Sequence, residues 1–176
     1  EVEDVGEVEE NEEVENAHLP SGEAFEAHAQ PPSEDAVGTL LRALVGAERP
    51  LILTGPVQNA SRARGALKLL ADAVDAPVVA LESPRGLRDP SLGVFTEAMG
   101  RADVLVTLGC RFDFRLGSGN GIPKDAKVIQ VHTDMHQIGF NVRADIGILG
   151  STGAVTKNIL ARVKEKRNPK ADAPWT

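Results

Sequence analysis

The sequence predicts an α/β fold, a doubly wound and mostly parallel sheet of five or six strands with helices on both faces. Two observations carry this prediction. Short apolar runs such as Val104–Leu108 are typical of strands buried on both faces. These runs alternate along the chain with segments whose apolar residues recur at helical spacing. Such alternation indicates parallel strands joined by right-handed crossovers, an arrangement called Rossmann-like.

Local patterns place each element in chain order. Ser33 is a favourable N-cap, and the apolar residues after it recur at helical spacing, so residues 34–47 are predicted to form an amphipathic helix. Further helices are predicted at about 59–75, at 93–100 and from Ser151 to about Arg167, with one or two short helical turns at 134–141. The predicted strands are 50–54, 78–81, 104–108, 127–132 and 146–149, and a short sixth strand in the region 83–95 stays open.

Charge divides the chain into parts. Residues 1–41 hold thirteen acidic side chains and no Lys or Arg, whereas residues 42–176 hold nineteen basic and thirteen acidic residues, a net charge of +6. Dense like charge disfavours compaction, so residues 1–32 are predicted to be an acidic linker or tail. Residues 33–167 form the predicted Rossmann-like domain, and residues 168–176 form a C-terminal tail. Because the chain opens on Glu1, we expect it to be a piece of a longer protein.

Composition argues against several classes of function. The modestly basic body suits an anionic ligand such as a nucleotide but falls short of a nucleic-acid footprint, and the absence of Tyr leaves little aromatic surface for base stacking. The apolar runs are too short to span a bilayer, so no membrane partner is expected. The compartment is not readable from the sequence, because a targeting segment could precede Glu1, and the cytoplasm is the default expectation. The single cysteine excludes an internal disulfide.

The loop after the central predicted strand is the main candidate for a binding site. It carries Arg111, Asp113 and three glycines, and guanidinium groups bind phosphate while glycines let backbone N–H groups approach an anion. In a doubly wound sheet this loop lies beside the loop after Thr54, at the switch point where such folds bind ligands. A nucleotide-sized site is one interpretation; a solvated loop whose glycines only make turns is the other.

Other motifs assign no catalytic residue. The glycines match neither G-x-G-x-x-G nor a P-loop. His132, Asp134 and His136 form H-x-D-x-H, but no fourth ligand is evident, and no metal site is predicted. Asp134 is interpreted either as an acceptor for a ribose hydroxyl or as the N-cap of the following turn. Cys110 is expected to be a buried, inert thiol.

Five segments resemble, in this order, the central domain of thiamine-diphosphate-dependent enzymes: PLILTG, PVVALES, ADVLVTLGCRFDFRLGSG, KVIQVHTDMHQIG and ADIGILGS. The similarity covers roughly residues 34–163. It is to the acetolactate synthase-like group, which also includes benzaldehyde lyase, oxalyl-CoA decarboxylase and 2-hydroxyacyl-CoA lyase. The resemblance implies a six-stranded sheet that does no chemistry itself. In this family the domain binds FAD in acetolactate synthases, ADP in oxalyl-CoA decarboxylase and nothing in other members.

The resemblance also implies which residues would contact FAD or ADP. They are Thr54 and Gly55 in the first phosphate-side loop, Gly109, Arg111 and Asp113 around the R-F-D loop, Asp134 and Ile138 in the D-x-x-x-I segment, and Asp145 and Ile146 on the adenine side. Three departures argue against FAD. Phe114 stands where the FAD-binding synthases usually carry a second Asp, His132 replaces the first Asp of an Asp-x-Asp pair, and the region 83–95 is shorter than in those synthases.

A larger parent enzyme follows from the same resemblance. The activating glutamate of the pyrimidine-binding domain and the G-D-G…N motif are missing from this chain. Thiamine diphosphate and Mg²⁺ would therefore be bound by the absent pyrimidine- and diphosphate-binding domains. The parent would be a homodimeric or homotetrameric lyase or transferase that makes or breaks C–C bonds of 2-keto acids or 2-hydroxyacyl-CoA. This chain would be its non-catalytic domain, either nucleotide-binding or purely a scaffold. The alternative is a self-contained dinucleotide-binding module with a redox or binding role.

Overall fold

The structure is a computed structural model that describes residues 30–55, 60–81, 83 and 85–165. Most of the predicted acidic linker 1–32 and all of the predicted tail 168–176 lie outside the described residues. Residues 56–59, which follow the first strand, also lie outside them.

Five parallel strands form one sheet. They are β1 (Pro50–Thr54), β2 (Val78–Ala80), β3 (Val104–Leu108), β4 (Lys127–His132) and β5 (Ile146–Leu149). Their order across the sheet is β2-β1-β3-β4-β5, with every neighbouring pair parallel. The chain steps outward from β1 to β2, crosses back to β3 and then continues on the other side. This reversal confirms the predicted doubly wound sheet.

Four α-helices accompany the sheet in the part of the chain that the structure describes. They are α1 (Glu34–Gly46), α2 (Ala60–Val74), α3 (Phe95–Arg101) and α4 (Thr152–Glu165). All four occur where the sequence predicts helices, with ends that differ by one or two residues where both lie in the described part. The Ser33 N-cap prediction is half right, because its carbonyl accepts the Val37 N–H at 3.1 Å while its hydroxyl makes no cap bond. None of the described helices is long and apolar enough to cross a membrane.

The two faces of the sheet are covered differently. On one face α1, α2 and α4 pack a single apolar core against alternate strand residues, among them Leu40, Leu70, Ile159, Ile52 and Val106. The opposite face is covered by α3 and by irregular segments, whose buried residues include Phe95, Met99, Phe112 and Leu116. Side chains alternate between the faces because successive residues of a strand point in opposite directions. Mainly apolar strands are therefore expected here, with Thr54, Thr107 and Gln130 as buried polar exceptions.

The region 83–95 forms no strand among its described residues. Two short 3₁₀ turns, Gly86–Arg88 and Pro90–Leu92, occupy it instead. The second turn is capped by Asp89, whose carboxylate accepts the Ser91 N–H at 2.9 Å, and Pro90 supplies no backbone donor for a sheet ladder. The six-stranded sheet implied by the resemblance is thus five-stranded in the part of the chain that the structure describes.

Asp103 fastens the amino-terminal edge of the sheet. Its carboxylate accepts the backbone N–H groups of Glu48 and Arg49 at 2.7 and 2.9 Å, in the turn between α1 and β1. Its own backbone bonds to Arg49 on one side and to Lys127 on the other. One residue therefore joins the starts of β1, β3 and β4.

Candidate functional site

The carboxyl ends of β1 and β3 lie side by side at the switch point, as predicted. Thr54 is paired in register with Leu108. The Gly55 N–H donates to the Leu108 carbonyl at 2.9 Å, and the Gly109 N–H donates to the Val131 carbonyl at the same distance. Hydrogen bonds of the sheet therefore continue for one residue past the strands, and the two glycine-bearing loops begin in direct contact.

This contact leaves little room between the loops. A Cβ atom on Gly55 would overlap the Gly109 carbonyl oxygen and lie 2.7 Å from its carbon, so only glycine permits the approach. The cavity that remains between Gly55, Leu81, Cys110, Arg111, Arg115 and Leu116 has a volume of about 10 Å³. That volume is room for about one water molecule. Residues 56–59, which continue the loop after β1, lie outside the described residues, and the nucleotide-sized site inferred from the sequence stays a prediction.

Arg111 is an exposed cation at this edge. Its guanidinium group makes no hydrogen bond or ion pair with another residue of the described ranges. The charge of Arg111 acts on His132 at the end of β4. Burial is the main cause that holds the pKa of His132 below its ordinary value, and the positive charge of Arg111 is the second cause. Arg111 is thus free of protein partners within that part of the chain, as a phosphate-binding side chain must be.

The carboxylate of Asp113, by contrast, is already paired with a side chain of its own loop, Arg115. Its carboxylate receives a bidentate ion pair from Arg115, with an Nη2–Oδ2 distance of 2.7 Å and an Nε–Oδ1 distance of 3.1 Å. It also accepts the Arg115 backbone N–H at 2.9 Å, which caps the 3₁₀ segment Phe114–Gly119. Hydrogen bonds from Arg115 hold the pKa of Asp113 below its ordinary value. In this arrangement the hydrogen bonds of Asp113 fix the conformation of the loop. The neighbouring side chain of Phe114 is 79% exposed.

Asp134 adopts the capping role that the sequence analysis left open. Its Oδ1 accepts the His136 backbone N–H at 2.9 Å at the start of the 3₁₀ turn Met135–Gln137. The same oxygen lies 3.0 Å from His136 Nδ1, while His132 Nδ1 accepts the Asp134 backbone N–H at 2.9 Å. Across the described ranges, no group of three or more His, Cys, Asp or Glu side chains could hold a metal ion.

The remaining expected contact residues lie elsewhere. Ile138 packs over β5, where a Cβ on Gly147 would be 2.7 Å from its Cγ2. Asp145 precedes β5 and so lies at the amino-terminal edge, where its carboxylate accepts the Val128 N–H at 2.8 Å. Ile146 follows it, opposite Ile129. The structure therefore brings together Thr54, Gly55, Gly109 and Arg111, with Asp134 two residues after the end of the next strand, β4, but not Asp145 and Ile146. Ligand binding by any of the nine stays a prediction.

Two polar residues that the sequence analysis missed hold the loops of this face in place. Gln130 is 3% exposed, and its side-chain amide donates to the Val142 carbonyl at 3.1 Å while its oxygen accepts the Gly139 N–H at 2.7 Å. Asn141, at a positive φ of 62°, donates to the Phe112 carbonyl at 2.8 Å. The available signal for Gln130 was a lone amide inside the apolar strand KVIQVH, since buried polar groups are nearly always hydrogen-bonded.

Two hydroxyls and one thiol are further buried polar groups near the site. The Oγ1 atoms of Thr54 and Thr107 are buried without a hydrogen-bond partner among the described residues. Cys110 is buried, as predicted, and burial raises the pKa of its thiol to about 12. A thiol with that pKa stays protonated at neutral pH and is a poor nucleophile.

Comparison with known proteins gives one family. The family model for the thiamine pyrophosphate enzyme central domain matches residues 37–159. Sulfoacetaldehyde acetyltransferase of Roseovarius nubinhibens is 32% identical over 150 residues, which are 75% of this chain and 24% of that protein. Acetolactate synthase of Mycobacterium leprae is 29% identical over 151 residues, 78% of this chain and 24% of that protein.

Solved structures agree in fold. The crystal structure of a "putative thiamin diphosphate-dependent enzyme" from Mycobacterium smegmatis superposes with a TM-score of 0.58 at 16% identity, covering 77% of this chain and 28% of that one. At that identity the likeness shows the fold alone. The chain spans about a quarter of the length of the relatives it matches. With its doubly wound sheet and a family match over residues 37–159, the chain belongs to the thiamine pyrophosphate enzyme central-domain family.

Proposed function

We propose that this chain is the non-catalytic, structural central domain of a thiamine-diphosphate-dependent enzyme. The observation that carries the proposal is the closed switch point, where backbone contacts between Gly55 and Gly109 leave a cavity of about 10 Å³. The nearby carboxylates of Asp113 and Asp134 are both bound within their own turns. Groups engaged in this way hold loops in place and are not presented to a reacting substrate.

Thiamine diphosphate does not fit the residues present. Its diphosphate needs a metal held by oxygen ligands, and no group of metal-binding side chains is found in the described part of the chain. The G-D-G…N motif is also missing from the sequence. The coenzyme and Mg²⁺ therefore belong to the pyrimidine- and diphosphate-binding domains of the parent. No step of the parent reaction is assigned to a residue of this chain.

The parent acts on C–C bonds next to a carbonyl, in 2-keto acids or 2-hydroxyacyl-CoA. Support comes from the relatives named as acetolactate synthase and sulfoacetaldehyde acetyltransferase. By the same family argument the parent is a cytoplasmic homodimer or homotetramer with lyase or transferase activity.

The test is to express the complete reading frame that encodes this chain and the 176-residue chain by itself. Both are assayed for consumption of pyruvate and of sulfoacetaldehyde with thiamine diphosphate and Mg²⁺. We expect thiamine-dependent turnover from the complete protein and none from the chain. Turnover by the chain, or a complete protein without pyrimidine- and diphosphate-binding domains, contradicts the proposal and favours the self-contained module.

A second candidate role is binding of an adenine nucleotide at the carboxyl edge. Arg111 is exposed there without a partner in the described ranges, and its guanidinium group fits a phosphate. The Thr54 hydroxyl is fully buried and has no hydrogen-bond partner among the described residues. These groups do not enclose a flavin, and Phe114 replaces an acid found in FAD-binding synthases, so ADP is favoured over FAD.

Calorimetric titration with ADP, FAD and NAD tests this second role. Binding at a hundredfold excess over Kd stabilises the fold by about 2.7 kcal/mol, which a melting curve detects. Phosphate beside Arg111 would offset the charge that depresses the pKa of His132, so ADP should raise that pKa in an NMR titration.

We expect Arg111→Ala to abolish both effects, and Arg143→Ala, which removes an exposed arginine near the opposite edge, to leave them intact. If millimolar ligand gives neither heat nor a His132 shift, the domain is a scaffold only.

A further inference from the structure

An open groove of about 1300 Å³ runs between α1 and α4, on the helical layer away from the loops of the candidate site. Small residues keep its floor low, among them Gly38, Ala154 and Ala161. Leu41 is half-buried there and Val45 is 38% exposed. The groove thus offers apolar surface of two packed helices that no described residue covers.

The rim of the groove is basic. Arg42, Lys157 and Arg162 line it, against the single carboxylate of Glu34. The two guanidinium groups converge, because a Cβ on Gly38 would lie 3.1 Å from an Nη1 of Arg162 and 3.5 Å from that of Arg42. Two cations this close repel each other unless an anion lies between them.

Only one of these cations has a carboxylate partner in the described part of the chain. Arg162 pairs with Glu34 at 3.3 Å. Arg42 donates to the Thr39 hydroxyl at 2.8 Å, which is a neutral acceptor, and Lys157 has no ion pair there. The groove therefore carries a net positive charge beside an apolar floor, a combination that suits an acidic segment with regularly spaced apolar residues.

The chain itself contains such a segment at its acidic amino terminus. Residues 1–16 hold nine acidic side chains, no basic ones, and valines at positions 2, 5, 8 and 14. The described chain begins at the groove, since Pro31 and Pro32 line it. The Gln30 carbonyl is fixed by the Ser151 N–H at 2.9 Å. Thirteen intervening residues span at most about 43 Å when extended, which exceeds the roughly 21 Å length of a 14-residue helix such as α4.

We propose that the groove between α1 and α4 binds residues 1–16 of the same chain, with the carboxylates on Arg42 and Lys157 and the valines on the floor. Because the segment is tethered, its effective concentration at the groove is in the millimolar range. Weak contacts therefore suffice. The ionic part of the binding weakens as salt screens the exposed charges.

Zero-length carbodiimide cross-linking of the full 176-residue chain tests the proposal. The reagent joins a carboxylate to a lysine amine as an amide, and the water lost converts the carbodiimide to a urea. We expect cross-links from residues 1–16 to Lys157 at least fivefold more often than to Lys124, an exposed lysine outside the groove. In 1 M NaCl that preference should disappear.

Matched variants identify the contact. Arg42→Glu should remove most Lys157 cross-links, while Arg143→Glu, the same charge reversal away from the groove, should keep them. Melting curves establish that both variants are folded, and the salt dependence of the unmodified chain tests the proposal should Arg42→Glu fail to fold.

Mixing ¹⁵N-labelled and unlabelled chains identifies the occupant. Intrachain cross-links carry one isotope and support the proposal. Mixed-isotope cross-links would overturn it in favour of a second copy. Equal cross-linking of Lys157 and Lys124, or Lys157 cross-links unchanged by Arg42→Glu, would overturn it altogether.

Discussion

Replacing Gly55 by alanine tests the closed switch point most directly. The added Cβ would overlap the Gly109 carbonyl oxygen and lie 2.7 Å from its carbon and 3.1 Å from the Cys110 nitrogen. All three atoms belong to the backbone, so no side-chain rotation relieves the overlap. The loops after β1 and β3 must therefore separate.

The expected cost is about 3 kcal/mol. Overpacking of a dense region costs about 1–3 kcal/mol. Separation of the loops also weakens the 2.9 Å bond from the Gly55 N–H to Leu108, worth about 1 kcal/mol. At roughly 4 °C per kcal/mol for a domain of this size, the melting temperature should fall by about 12 °C.

Gly65→Ala is the matched control, because it adds the same methyl group in the interior of α2, where no described atom outside the helix's own backbone lies within 4 Å. Alanine is the better helix former, so this variant should gain about 0.5–1 kcal/mol. Urea unfolding followed by far-UV circular dichroism measures both. A Gly55→Ala loss below about 1 kcal/mol would show that the two loops are not in the contact described.

Three further outcomes follow from named groups. The pKa of His132 is lowered in the fold, so the unfolded chain binds a proton at this residue more readily. The free energy of unfolding should therefore fall as the pH drops below about 6.5. Urea midpoints measured from pH 7 to pH 5 should show a smaller fall for His132→Gln than for the parent chain. Gln130→Leu should cost about 1–2 kcal/mol, because the Val142 carbonyl and Gly139 N–H lose their partner; equal urea midpoints for variant and parent would contradict this. Cys110 should resist a disulfide-exchange reagent in the native chain and react on unfolding in urea, and rapid native labelling would disprove its burial.

Thr54, Thr107 and Gln130 are buried polar residues of the strands. The strands were nevertheless predictable, because burial in the sheet favours short runs that are mainly apolar. The 3₁₀ turns of the region 83–95 were not, because they depend on a distant contact. Gly86 has a positive φ of 55° and packs on the backbone of Arg115, where a Cβ would overlap the Arg115 carbonyl. A pattern confined to a few neighbouring residues does not contain that information.

Some features of the candidate site were likewise predictable from the sequence, and others were not. Convergence of Thr54 and Gly109 follows from strand order, which alternation along the chain already predicts. The ion pair between Arg115 and Asp113 was not predictable. It depends on side-chain geometry within a kinked turn, for which sequence spacing gives no rule. Asp145 was assigned by resemblance alone and precedes its strand, and ligand binding by it stays a prediction. In a parallel sheet that position lies at the amino-terminal edge, opposite the ligand-binding edge.

The hydrogen bonds from the backbone of Glu48 and Arg49 to the Asp103 carboxylate affect how the chain folds during synthesis. The carboxylate and the two amides it binds are 55 and 54 residues apart, so α1 and β1 leave the ribosome long before their partner is made. Until then the turn between them has only water to satisfy those amides. We therefore expect α1 and β1 not to form a stable unit by themselves. The hydrogen bonds at the amino-terminal edge of the sheet form late, once β3 is synthesised and pairs with β1. Contacts of such long separation slow folding, and premature truncation before residue 103 would leave a chain with an open edge strand, the feature most prone to pair with its neighbours.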